Sequence, residues 1–218
     1  MLEYDSPLST DATADQVFGQ AENLTSTKCN IGGLVAAKTL CRPRGVAADP
    51  WGNVYIADTG NNRVLEFSSP LATDRRADLV FGQSASFVTS DCNKGGGVNR
   101  RTLCGPSGVA VDASGDVFIA DSLNHRVLEY DSSLTTDVRA DRVFGQGESF
   151  SSATCNNGGI SAGSLCTPRS VAIDDFANLY VADTGNHRVL EYNDPLPTPT
   201  QAVTPTPTFT PTPVVPGP

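Results

Sequence analysis

Residues 182–192 read A-D-T-G-N-H-R-V-L-E-Y, and the string returns at 57–67 as A-D-T-G-N-N-R-V-L-E-F and at 120–130 as A-D-S-L-N-H-R-V-L-E-Y. Arg63, Arg126 and Arg188 set the period at 62 to 63 residues, and M-L-E-Y at 1–4 is a partial fourth copy. Self-similarity at a fixed period marks a repeat architecture. One copy is a supersecondary unit that cannot bury its apolar face alone, so neighbouring copies must stack.

Working outward from this string, a short run of small and β-branched residues precedes each copy: GVAAD at 45–49, GVAVD at 108–112 and SVAID at 170–174. Such runs suit a buried inner strand. After a tight turn comes NVYIAD at 53–58, DVFIAD at 116–121 or NLYVAD at 178–183, a second strand paired by hairpin. The T-G-N element is turn chemistry, since glycine and asparagine tolerate positive φ. A third strand follows at 63–67, 126–130 and 188–192, and a fourth at 78–83 (DLVFGQ) and 141–146 (DRVFGQ), with DQVFGQ at 15–20 in front.

Four short strands per period is the signature of a propeller blade. The expected fold class is therefore all-β, with blades of four antiparallel strands and about three blades present. Residues 1–194 form the propeller part: a partial blade at 1–20, full blades at about 43–83 and 106–146, and a partial blade at 168–192. The last third strand runs into proline and gains no fourth partner from the residues after it. Three blades do not close a ring, and open ends expose sheet faces and edges. Two explanations stand side by side: a fragment of a longer propeller, or a head-to-tail homodimer that closes a six-bladed ring.

The six cysteines recur one pair per period, which reads as three local disulfides, Cys29–Cys41, Cys92–Cys104 and Cys155–Cys166. Each closes a loop of roughly 13 residues, for which the chain-entropy model gives about 3 kcal/mol. A structural zinc needs four ligands, and each pair supplies two without a second pair beside it. Disulfides imply an oxidising compartment, hence an extracellular or cell-surface setting. Met1-Leu2-Glu3-Tyr4-Asp5 has an acid where an export signal is basic and then apolar, which suggests a natural N-terminus further upstream. From Pro195 the chain becomes a Pro/Thr-rich segment, 195–218, expected to be a disordered, extended linker or stalk that serves as a surface tether.

A formal net charge of −9 offers no basic face for phosphates, so nucleic acid is not an expected partner. No apolar run approaches the 18 residues of a membrane span.

The pattern G-V-A-V-D-x-x-G-D-V-F-I-A-D-S-x-N-H-R-V-L-E-Y resembles the NHL repeat, whose Asn-His element stands here at Asn124-His125 and Asn186-His187. The resemblance covers residues 43–192 well and the front partially. It implies a β-propeller, usually of about six blades, without fixing a function, because that fold hosts binding modules as well as lyases and lactonases. The departures are the long cysteine loop in every period and Asn62 in place of histidine.

Asp121 with His125 and Asp183 with His187 have the composition of a base or metal-ligand pair. Yet the pair recurs at one blade position and gives way to Asn62 in the first copy, which points to a role within each blade. The structural repeat positions are thus Asp58, Asn61 and Arg63, then Asp121, Asn124, His125 and Arg126, then Asp183, Asn186, His187 and Arg188. The aspartates are expected to accept hydrogen bonds from the T-G-N turn and the arginines to pair with a nearby carboxylate. Asp49, Asp112 and Asp174, each with a polar residue four positions on, lack the ligand density of a calcium loop and read as hairpin caps. No catalytic residues, cofactor or metal are assigned. The expected function is a non-enzymatic scaffold that holds a protein or glycan. The alternative is a fragment of a lactonase- or lyase-like propeller whose ligands lie in other blades.

Overall fold

The computed structural model describes residues 1–3, 14–21, 23–69, 74–131 and 137–193. Tyr4 of the front strand and the Pro/Thr segment 195–218 lie outside them. Thirteen strands are present among the described residues, β1 (Leu2–Glu3), β2 (Gln16–Val17), β3 (Val46–Ala48), β4 (Val54–Asp58), β5 (Arg63–Phe67), β6 (Leu79–Phe81), β7 (Pro106–Val111), β8 (Val117–Asp121), β9 (Arg126–Tyr130), β10 (Arg142–Phe144), β11 (Pro168–Ile173), β12 (Leu179–Asp183) and β13 (Arg188–Tyr192).

They form four antiparallel sheets. β1 pairs with β2, β3 to β6 and β7 to β10 are complete four-stranded sheets, and β11 to β13 form a sheet of three. The chain is thus a partial propeller, as the repeat pattern implies. Its strands differ from the expected ranges at their ends. β7 and β11 begin at Pro106 and Pro168, upstream of the G-V-A run, with a bulge after each proline. Proline lacks the N–H that a central position must donate, so it starts a strand and disturbs the ladder.

Strands with a neighbour on both faces are buried throughout: every residue of β5, β8 and β9 is buried. Side chains alternate between the preceding and the following blade. Tyr55, Ala57 and Val64 of the first full sheet meet Val109, Val117 and Ile119 of the second, together with Leu103 of the intervening loop. Ala110, Phe118, Ala120 and Val127 meet Val171, Leu179 and Val181 of the third, with Leu165 of the intervening loop, in the same way. Edge-to-face aromatic pairs repeat across each junction, Phe18–Phe67, Phe81–Tyr130 and Phe144–Tyr192, with centroids 4.9 to 5.3 Å apart. The inner strands approach so closely that a Cβ on Gly108 would lie 2.8 Å from the Ser170 Cα.

Candidate functional site: a disulfide-pinned rim of loops

The turn joining the second and third strands of each full or partial blade is one 3₁₀ turn, Thr59–Asn61, Ser122–Asn124 or Thr184–Asn186. It ends on a left-handed residue: Asn62, His125 and His187 have φ of 53°, 54° and 54°. Asparagine and histidine are among the few side chains that adopt this region readily. Their exchange between copies therefore preserves the turn.

The aspartate entering this turn collects donors only. Asp121 Oδ1 accepts from the Cys104 N–H at 2.7 Å, and Oδ2 accepts from Asn124 Nδ2 and Arg126 Nε, both at 2.8 Å. Asp58 repeats the pattern with Cys41, Asn61 and Arg63, and Asp183 with Cys166, Asn186 and Arg188. Burial pushes the Asp58 and Asp121 carboxyls up, while the arginine and the other donors pull them down. A set of three donors with no acceptor satisfies only the ionised form.

Arg63 and Arg126 then each span two loops. Arg63 Nη2 donates to the Ala36 and Thr39 carbonyls in the loop before its blade, and Nη1 donates to the Phe87 carbonyl in the loop after it. Arg126 does the same with Asn99, Thr102 and Phe150. Arg188 bonds Ser161 and Ser164 of the preceding loop, and its side chain is 25% exposed where the other two are fully shielded.

These loops hold the cysteines, and all six are paired as Cys29–Cys41, Cys92–Cys104 and Cys155–Cys166, each with Cα atoms 4.5 Å apart. Two further sets of contacts were not legible from the site residues alone. The asparagine after each first cysteine exchanges amide hydrogen bonds with the turn: Asn30 with Asn61, Asn93 with Asn124, and Asn156 with Asn186. The recurring Cys-Asn dipeptide was the available signal. The glutamine closing V-F-G-Q donates to the left-handed residue's carbonyl and to a loop carbonyl, as Gln83 to Asn62 and Asp91 and Gln146 to His125 and Thr154.

His125 acts as a neutral acceptor. Its Nδ1 receives the Thr167 N–H at 3.0 Å, at the entry to the next blade, and burial lowers its affinity for a second proton. Asn62 Oδ1 receives the equivalent Gly105 N–H at 2.7 Å. The two side chains do one job with different atoms. His125 also lies within 4.8 Å of the Cys155 and Cys166 sulfurs, but a disulfide offers no thiolate to a metal. His187, at the outer end of the last blade, is exposed.

At the opposite end of each sheet the first hairpin is capped as expected from its spacing. Asp49 Oδ1 accepts from the Trp51 and Asn53 N–H groups, and Asp112 and Asp174 repeat this.

Five large apolar side chains left in solvent lie on the cysteine loops and the 3₁₀ turns beside them, Leu24, Leu34, Val88, Ile160 and Leu123, 55 to 76% exposed; Trp51 and Phe176, 57 and 79% exposed, lie on the first hairpins at the opposite end. Disulfide, buried arginine and amide pairs root a rim on which these residues are exposed.

The comparisons with known proteins fall on this frame. The NHL repeat matches residues 40–67, 103–130 and 165–192. Teneurin-3 of Danio rerio is 28% identical over 158 residues, 68% of this chain and 6% of that protein. Peptidyl-alpha-hydroxyglycine alpha-amidating lyase 1 of Drosophila melanogaster is 34% identical over 89 residues, 40% of this chain and 14% of that protein. The chain thus spans a small part of the relatives it matches. Among solved structures, hydrazine synthase of Kuenenia stuttgartiensis aligns with a TM-score of 0.41 at 10% identity, over 78% of this chain and 38% of that one. A gluconolactonase of Xanthomonas campestris aligns with a TM-score of 0.40 at 16% identity, over 65% and 34%. Each of the three family matches ends with the third strand of a blade and contains one complete Asp-Asn-Arg brace, and on that ground the chain is an NHL-repeat β-propeller protein.

Proposed function

We propose that this chain is a non-enzymatic scaffold that holds a protein or glycan on the disulfide-pinned rim, in an extracellular or cell-surface setting. The observation that carries the reading is the exposure of Leu34, Val88 and Ile160, 69 to 76%, on loops fixed at both ends. Isolated apolar side chains on a surface need no explanation, but three on neighbouring, internally braced loops favour a partner. The order is already built in, so binding forfeits little loop entropy. A charge of −9 favours neutral or basic partners. The three disulfides support an oxidising compartment, and the Pro/Thr segment 195–218 is the proposed tether.

A second reading rests on the resemblance of 89 residues to an amidating lyase: the chain contributes blades to a propeller enzyme whose catalytic ligands lie in other blades. The test is a glycan array and an array of secreted proteins probed with the labelled chain and with L34S/V88S/I160S. Retained folding with lost binding in the triple variant supports the rim. Turnover of an α-hydroxyglycine peptide or a lactone by the chain supports the enzyme reading and overturns the scaffold.

A further inference from the structure

The outer face of the third sheet is chemically a blade junction without its neighbour. Ala172, Tyr180, Ala182 and Val189 occupy the positions of Ala110, Phe118, Ala120 and Val127, which are buried against the following sheet. Val127 is fully shielded, whereas Val189 is 67% exposed. At the front of the chain the complementary face is open at its inner strand, while Ile56 of β4 and Leu65 of β5 are already covered by Phe18 and Leu40. Val46, the counterpart of Val109 and Val171, is 55% exposed where those two are 6 and 7%.

We propose that a second copy of this chain covers these faces, the outer face of β11–β13 in one copy packing on the open inner strand β3 of the other, at both junctions of a head-to-tail pair. The argument is continuity with a contact the chain already makes twice within itself, from the first full sheet to the second and from the second to the third. The polar groups match as well. His187 stands where His125 receives the Thr167 N–H, and Arg42 stands where Thr167 presents it, with φ of 49° against 51°. Thr184 stands where Thr59 Oγ1 donates to the Pro106 carbonyl at 2.7 Å, and Pro43 is the counterpart of Pro106.

The free edge of β13 is completed in the same step. β2 pairs with β1 through Leu2 with Val17 and Glu3 with Gln16, and Met1 adds two backbone hydrogen bonds with Phe18. Leu2 corresponds to Leu190, and β13 is five residues long, so the partner's β13 takes over β2 and releases β1. Every sheet of the pair then has four strands. An apolar face left open to water and a sheet edge left unpaired are both removed, which a single copy cannot achieve on its own described residues.

One residue works against close contact. Gly45 and Gly108 bring successive inner strands together, and the third sheet has Ser170 at that position, so the junction between copies is wider at the inner strand.

Sedimentation equilibrium of the chain tests this. A mass of twice 22.8 kDa is expected. V189D and V46D change residues that are exposed in a single copy, so both stay folded by circular dichroism, yet each weakens the pair at least about a hundredfold by burying an uncompensated charge. Mixed together they re-form a pair through their one unaltered junction, and S170G alone tightens association. A single-copy mass throughout, as when the segment 194–218 covers the face, overturns the proposal. Loss of pairing in V189D with none in V46D means two identical faces meet, which also overturns it.

Discussion

Asp121 Oδ2 accepts a 2.8 Å hydrogen bond from Arg126 Nε with neither side chain reaching solvent. Five residues apart in sequence, the two bridge the turn between β8 and β9, and through Arg126 the same pair holds one loop on either side of its blade. Stability of the rim and of the sheet stack therefore share one ionic contact.

Asp121→Asn leaves the Arg126 guanidinium buried without its counter-ion and is expected to lower unfolding free energy by about 3–5 kcal/mol. Asp183→Asn costs less, because Arg188 is already 25% exposed and water can replace the carboxylate. Urea unfolding of the two variants gives the comparison.

Asn62→His and His125→Asn each keep both a left-handed residue and an acceptor for the next blade's N–H, so both are expected within about 1 kcal/mol of the wild type. Asn62→Ala loses the acceptor and strains the turn, costing roughly 2 kcal/mol or more. The Gly105 amide then exchanges with solvent in Asn62→Ala alone.

Removing Cys92 and Cys104 together, as serines, is expected to cost about 3 kcal/mol, the value for closing a loop of this length in the unfolded chain. Mass spectrometry after alkylation shows no modified cysteine in the unreduced protein and six after reduction.

Burial pushes the Glu129 carboxyl up to about 8 and that of Glu66 up to about 7, from ordinary values near 4.5. Glu129 faces Arg142 at 3.3 Å, which opposes the shift, and Asp131, which adds to it. The folded state thus binds these protons more tightly than the unfolded chain does. Their contribution is full below pH 4.5 and is lost as pH rises through 7 and 8. His125, whose proton affinity is lowered, acts oppositely and only below its ordinary value near 6.5. Between about pH 6.5 and 9 the melting temperature is expected to fall, and Glu129→Gln, which mimics the protonated form, removes part of that fall.

Much of this was legible in the sequence, and the reason is repetition. Arg63, Arg126 and Arg188 fix the period, the V-F-G-Q strings fix the fourth strands, and the absence of such a string after Tyr192 gives a last sheet of three strands. The brace was half legible: aspartate and turn are local, but the acceptors of Arg126 lie 24 and 27 residues away in loops without regular structure. No pattern of polarity shows which carbonyl a loop will turn inward. The Asn93–Asn124 amide pair escaped for the same reason, since it spans 31 residues. β7 and β11 begin two residues before the G-V-A-V-D and S-V-A-I-D runs, at Pro106 and Pro168, because proline at a strand's first position leaves no ladder donor unmade.

The central claim is that one buried arginine holds both neighbouring loops of the rim. Hydrogen exchange of wild type and D121N/R126M tests it most directly, the double substitution sparing the fold an unpaired buried charge. The account predicts that 84–104 and 147–166 lose protection together while β7 and β8 keep theirs. Loops that exchange as slowly as in the wild type, or only one loop released, would contradict it.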